Sequence, residues 1–253
     1  STLQYENIAL LGSNLGFTDL DAVAKLNYEC DDIGLDAIEA GATLGVALDM
    51  GLGKWGDLDR CMELLQEIRN NTLLGKVLGH GAQVTGEVLG CRRIPVSKGQ
   101  AFAGYDPRGL KGNGVTYAMC PMGGDHTAGN CFGSRGEVNP LGREKQGDLS
   151  RTLQYKICAL DSLGFCMFAR PPLFKEPRRL STLVNALLGT DLNPDQLWDV
   201  AGIHAVRTER EFNIRAGVSP SGDRLPEFVY VEPLPPTNEV FDIPQEEMLK
   251  AIV

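Results

Sequence analysis

Apolar residues in this chain recur every three or four positions, segment after segment, and nowhere alternate over a run long enough to read as a strand. A face that repeats at this spacing fits a helix and not a pleated strand, so the expected fold class is mainly α. Residues 18–30, TDLDAVAKLNYEC, carry Leu20, Val23, Ala24 and Leu26 on one stripe. Thr18 is read as the N-cap, with Asp19 and Asp21 in a first turn that favours negative charge. Gly34 supplies a left-handed stop. Residues 35–50 restart a helix that is apolar on most sides, hence buried, with Gly41 and Gly45 permitting close packing. Residues 57–69 turn Leu58, Met62, Leu65 and Ile68 inward, and 71–90 hold one or two helices broken at Gly79 and Gly81. Further helices are expected over 150–163 starting at Ser150, over 179–189, over 194–212 behind Asn193 and Pro194, and over 244–252. Between them, 91–148 is rich in glycine, proline and turn pairs such as Asp106-Pro107, Gly123-Gly124 and Asn139-Pro140. Long ordered loops of this kind are usually functional.

Composition narrows the function. With 253 residues, 43% of them hydrophobic and 23% charged, the chain can bury a sizeable core and is not globally disordered. No apolar run approaches the ~20 residues that span a bilayer, and no secretion leader is read, so no membrane partner and a cytoplasmic location are expected. A net charge of −9, with only short basic groups such as Arg178-Arg179, argues against nucleic acid. Aromatic residues are only 7%, too few for a sugar cleft or a base-stacking platform. The seven cysteines include no pair two to four residues apart, which excludes a zinc knuckle or a redox CxxC. They read as small buried residues, although one could complete a site whose other ligands lie elsewhere. Gly51-x-Gly53 and Gly112-x-Gly114 do not extend into a dinucleotide fingerprint. His80 and His204 show no metal-ligand spacing.

One internal echo stands apart. Asp31-Asp32-Ile33-Gly34-Leu35-Asp36 and Asp161-Ser162-Leu163-Gly164-Phe165-Cys166 share the form Asp-x-x-Gly-apolar-x, each between two helices. Two ordinary glycine C-caps would produce it. So would two equivalent junctions, each aiming a carboxylate at N–H groups of one central heterocycle. The chain also carries Tyr5-Glu6-Asn7 with Gly12, Asn14 and Gly16, then Thr43, then YDPRGLKGNGVTYA at 105–118, then Gly123-Gly124-Asp125-His126, and finally EFNIRAG at 211–217 with Asp223, Leu225 and Pro226. In this order the motifs resemble the tungsten-dependent aldehyde ferredoxin oxidoreductases, almost from end to end.

The resemblance implies two helical lobes, like domains 2 and 3 of that family, around a shared cofactor cleft, expected here as 1–92 and 93–253. It implies a tungsten (or molybdenum) bis-pterin beside a [4Fe–4S] cluster. Asp31, Leu35 and Asp36 would face one pterin, and Asp161 and Phe165 the other. Phe165 departs mildly from the family's aliphatic residue. Cys166 takes the place of the fourth cluster ligand. The family's CxxCxxxC run and its N-terminal β domain are not in this sequence, so a missing domain or subunit is an expected partner, and the isolated chain is expected to hold neither cofactor. Glu6 would be the base or proton relay, His126 the proton donor or carbonyl polariser, and Tyr5 an orienting hydroxyl. Without the resemblance, Glu6 reads as a surface glutamate and His126 as a histidine bonded to backbone in a glycine-rich turn. Arg108 would meet a phosphate or pin its own loop. The implied activity is oxidation of a small aldehyde to its acid with ferredoxin as electron acceptor. A non-aldehyde member of the aromatic acyl-CoA reductase type and an inactive helical scaffold are the alternatives, and a homo-oligomer is compatible with either.

Overall fold

The structure is a computed structural model that describes residues 2–253. As the periodicity predicts, the chain is mainly helical. In order it forms α1 (Tyr5–Leu11), α2 (Leu20–Ile33), α3 (Ala37–Asp49), α4 (Leu58–Arg69), α5 (Leu73–Leu78) and α6 (Gly81–Leu89). A two-residue antiparallel hairpin follows, β1 (Val96–Ser97) and β2 (Gln100–Ala101), with Val96 opposite Ala101. Then come α7 (Lys111–Met119), α8 (Gln146–Ser162), α9 (Arg170–Lys175), α10 (Pro177–Leu188), α11 (Pro194–Trp198), α12 (His204–Arg215), α13 (Phe228–Val231) and α14 (Gln245–Leu249). Among the described residues no single helix is long and apolar enough to cross a membrane.

The chain divides into two compact units. The first comprises 1–106, 123–125 and 225–240, and the second 107–122, 126–224 and 241–253. In the first, α1 and α6 pack on α3, while α4 packs on α2 and α5. Leu11, Leu26, Leu44, Leu48, Leu64 and Leu65 form the centre of its main core. Gly41 lets α1 lie directly on α3, because a Cβ there would stand 2.6 Å from the Leu10 carbonyl. Tight interiors reject even one added carbon, so this crossing requires glycine. Capping follows the chemistry of short polar side chains: Asp57 accepts from the Arg60 amide and Thr72 from the Gly75 amide. The cap of α2 is Asp19, bonded to the Asp21 amide, and not Thr18. A carboxylate one residue nearer the helix satisfies an end donor and also complements the dipole.

In the second unit, α7 is buried at all nine positions and packs on α8. Its Gly112 and Gly114 leave room for Cys131 and Phe241. Thr116 and Ser150 hydroxyls meet at 2.8 Å, and Gln154 donates to both the Ser150 hydroxyl and the Ala251 carbonyl, so these three polar side chains are paired in a ladder. Lys111, 1% exposed, is paired with Asp242 at 2.7 Å, and Arg143 holds the other oxygen of the same carboxylate. Two helices differ from expectation. α8 begins at Gln146, one turn before Ser150. The segment 194–212 is not one regular helix. Asn193 and Gln196 make a full capping box on α11, after which Asp199–Ile203 widens into a π turn before α12. Gly202 lies against the Tyr155 carbonyl, where a Cβ would approach to 2.1 Å. The wide turn brings its backbone onto α8.

Candidate active and cofactor site

The two Asp-x-x-Gly segments share a left-handed glycine and one backbone bond, although the Gly34 amide donates four residues back, to Cys30, and the Gly164 amide three, to Asp161. Gly34 has φ 86° and Gly164 φ 74°. The amide of Leu35 donates to the Cys30 carbonyl at 2.8 Å, and that of Phe165 to the Leu160 carbonyl at 2.9 Å. Each bond spans five residues and closes a helix through a left-handed glycine. Leu35 and Phe165 are both half-buried against the core of their own unit. A Cβ at Gly34 or Gly164 would meet nothing within 4 Å, so glycine stands there for its conformation and not for space.

The surroundings of the two junctions differ. Asp31 accepts from Asn27, which in turn is bonded to Asn7. Asp32 pairs with Arg69, whose guanidinium also meets Glu29, so the end of α2 is tied to α4. Asp36 caps α3 through the Glu39 amide at 2.8 Å. Its counterpart Cys166 leads a short 3₁₀ turn and makes no side-chain cap. Its thiol is exposed, whereas Cys30, Cys61, Cys91, Cys120 and Cys131 are buried. Burial, reinforced at Cys30 by Asp31, pushes the Cys30 thiol up to about 12, and burial does the same at Cys131. Such thiols are inert as ligands, since a metal takes the thiolate.

Asp161 stands on the wall of a cavity of about 230 Å³ in the second unit, with Gln154, Ile157, Cys158, Val206 and Glu209. The Cys158 thiol faces Glu209 at 3.8 Å. Burial and then the nearby Glu209 and Asp161 charges raise it to about 11, and burial also raises Glu209. The side chains of Gln154, Asp161 and Glu209 put polar oxygens on this wall among the apolar Ile157 and Val206.

In the first unit, Tyr5 and Glu6 open α1 and close on one residue, Gly104, 99 and 98 positions away. The Tyr5 hydroxyl donates to the Gly104 carbonyl at 2.9 Å, and a Glu6 oxygen accepts from the Gly104 amide at 2.6 Å. Tyr105 stacks on Tyr5 with ring centroids 5.2 Å apart. Partial burial, then the neighbouring Tyr105 and Glu6, raise the Tyr5 phenol above its ordinary value. A Cβ at Gly104 would stand 2.6 Å from that of Ala9. Gly123 and Gly124 seat against the β1–β2 backbone, with Cβ positions 2.4 Å from the Ser97 and Gln100 carbonyls. Asp125 follows directly, and His126, the next residue, belongs to the second unit, half-buried there with its carbonyl accepting the Gly129 amide.

Two residues here were not singled out from the sequence. Asn27 is one, visible only as a polar position on an otherwise apolar face of α2. Glu39 is the other. Its only local signal is the pattern Asp36-x-x-Glu39, which reads as a capping box. In the structure its carboxylate leaves α3 and accepts the Ala82 and Ala101 amides instead.

The arrangement fits a bis-pterin and a single cluster thiolate in kind. Acceptor carboxylates stand beside open glycine backbone at both junctions, and one exposed cysteine follows the second. Among the described residues no group of three or more histidines, cysteines or carboxylates is placed to hold a metal ion.

Comparison with known proteins identifies the family. The sequence model of aldehyde ferredoxin oxidoreductase, domains 2 and 3, matches residues 1–252. The tungsten-containing aldehyde ferredoxin oxidoreductase of Thermococcus kodakarensis is 30% identical over 92% of this chain and 42% of its own length. That of Pyrococcus furiosus is 29% identical over 97% of this chain and 44% of its own. The aliphatic sulfonate oxidoreductase, WOR-like subunit, of the same organism is 26% identical over 98% of this chain and 41% of its own length. The chain thus spans about two fifths of the relatives it matches, and within that span it belongs to the aldehyde ferredoxin oxidoreductase family, in the part that forms domains 2 and 3.

Proposed function

We propose that this chain is the cofactor-clamping and catalytic portion of an enzyme that oxidises aldehydes to carboxylic acids and passes the electrons to ferredoxin. The observation that carries this reading is the match of the family's domains 2 and 3 to residues 1–252, within which Leu35 and Phe165 at the two junctions are each bonded five residues back. Asp31, Leu35 and Asp36 would hold one pterin of a tungsten or molybdenum bis-pterin, and Asp161 and Phe165 the other. An ionised carboxylate accepts at two oxygens, so Asp36 retains capacity for a pterin N–H while capping α3. Cys166 would give one thiolate to a [4Fe–4S] cluster, which takes four, the others coming from the rest of the enzyme. When bound, the cofactor supplies the two-electron acceptor chemistry.

Aldehyde plus water yields acid, two protons and two electrons. Glu6, a carboxylate in the first turn of α1 held by the Gly104 amide, would take a proton as water adds to the carbonyl. Tyr5 orients that carboxylate by anchoring the same loop, and His126 would donate a hydrogen bond to the carbonyl oxygen. The test is Glu6→Gln in the intact enzyme. Turnover should fall by about 10²-fold or more with KM little changed, because the variant keeps shape and removes proton transfer. Turnover at the wild-type level would assign Glu6 to the loop clamp alone.

The likeness to the sulfonate oxidoreductase subunit favours a second reading, a non-aldehyde substrate in the same site. Assaying the intact enzyme with short aldehydes and with aliphatic sulfonates separates the two.

A further inference from the structure

Glu39 lies on α3, three residues after the Asp36 cap, and is bonded to no substrate or cofactor group in the reading above. Both of its carboxylate oxygens are nevertheless committed. Oε1 accepts the Ala82 amide at 2.7 Å, at the start of α6, and Oε2 accepts the Ala101 amide at 3.0 Å, on β2. The main chain makes room for it: Gly81 has φ 88°, and a Cβ there would stand 2.6 Å from Oε1. Three residues beyond Ala101 comes Gly104, whose amide is the donor to Glu6 and whose carbonyl is the acceptor for Tyr5. The Ala101 carbonyl also backs Gly124, where a Cβ would stand 2.7 Å from it. A continuous series of bonds therefore leads from the first junction to the candidate base. Asp36 holds the Glu39 amide, Glu39 holds β2, and β2 leads through Phe102 and Ala103 to the residue that holds Glu6.

We propose that Glu39 is a positioning residue for Glu6, setting the height of the 102–105 loop and so the placement of the Glu6 carboxylate relative to the first Asp-x-x-Gly junction. This inference rests on the reading of Glu6 as the base. A charged acceptor that receives two backbone amides is stronger than a neutral one and fixes both in direction. A merely packed side chain at this position would hold α6 and β2 together without bearing on Glu6 protonation.

Two variants test it. Glu39→Gln keeps the volume but retains one acceptor oxygen for two amides. Gly81→Ala leaves the carboxylate intact and places a methyl carbon 2.6 Å from Oε1, too close for the oxygen to stay. In the full chain, amide hydrogen exchange at Gly104, a residue that Glu39 does not touch, should speed up by about tenfold or more in both variants, since local protection follows local bonding. In the intact enzyme kcat should fall while KM holds, and the acid limb of the kcat–pH profile, set by the base, should move. Wild-type exchange at Gly104 in both variants would overturn the proposal, as would a lower kcat on an unmoved pH profile. The exchange result stands whatever the chemistry. If Glu6→Gln left turnover intact, the functional reading would fall, while Gly104 exchange would still show whether Glu39 sets the loop.

Discussion

Gly104 carries no side chain, yet three side chains depend on that. Ala9, Glu6 and Tyr5 all approach the place where its Cβ would be, at 2.6, 3.1 and 3.2 Å. Its conformation is not left-handed, so the requirement is one of space. Gly104→Ala should therefore act by overpacking, which costs about 1–3 kcal/mol in a well-packed site. Because the nearest atoms belong to α1, the strain is relieved by lifting Tyr5 and Glu6 off the loop. We expect a lower melting temperature together with a near-complete loss of turnover in the intact enzyme, measured side by side. A variant that lost stability but kept full turnover would separate the clamp from catalysis. Gly34 and Gly164 contrast with this position, since they have room for a Cβ and lack only a comfortable backbone conformation for one.

At the scale of the helix, the sequence was most legible where a signal and its effect lie within one turn. Gly34 ends α2 and the Asn193–Gln196 pair starts α11 because both bonds close over three to five residues. The π turn after α11 was not legible, because what it packs on, the Tyr155 carbonyl beside Gly202, lies on another helix. The same holds for Glu39, whose partners lie 43 and 62 residues ahead. Asp36 was legible as a motif residue but not as a cap, a role that depends on where α3 begins. Gly202→Ala tests the turn directly. Its Cβ would stand 2.1 Å from the Tyr155 carbonyl oxygen, so α8 must part from the 199–203 segment. We expect a loss of about 2–3 kcal/mol in urea unfolding, and a Gly202→Ala protein with unchanged midpoint would mean that the turn relaxes to regular helix at no cost.

At the scale of the whole molecule, each unit is assembled from segments distant in sequence. The first takes back 225–240, where Arg93 bridges Asp49 and Glu232. The second takes 241–253, whose Asp242 neutralises Lys111. Burial would raise the Asp242 carboxyl, but hydrogen bonds from Lys111 and Arg143 outweigh it and hold the group below the ordinary carboxylate value. A carboxyl lowered by folding stabilises the native state above its unfolded pKa of about 3.9 and loses that contribution as pH falls through its native value. Asp242→Asn replaces the carboxylate that the buried Lys111 ammonium meets at 2.7 Å with a neutral amide, a loss of a charged hydrogen bond that costs about 1.5–3 kcal/mol. Denaturant midpoints from pH 7 down to pH 3 should show the wild type losing its advantage over Asp242→Asn only at the acid end. A constant gap across that range would mean that charge is not what Lys111 requires.

The burial of α7 has a consequence for the order of events during synthesis. All nine of its residues are enclosed, among them a lysine whose counter-charge lies 131 positions later. A ribosome adds only about 5–20 residues each second. For several seconds after α7 emerges, the Asp242 carboxylate that holds this lysine in the folded unit has not yet been made. Gly114 likewise awaits Phe241, Gly147 awaits Glu247, and Gln154 awaits Ala251. The second unit therefore closes late, when 241–251 have left the exit tunnel, and until then its apolar helices are a natural substrate for a holding chaperone.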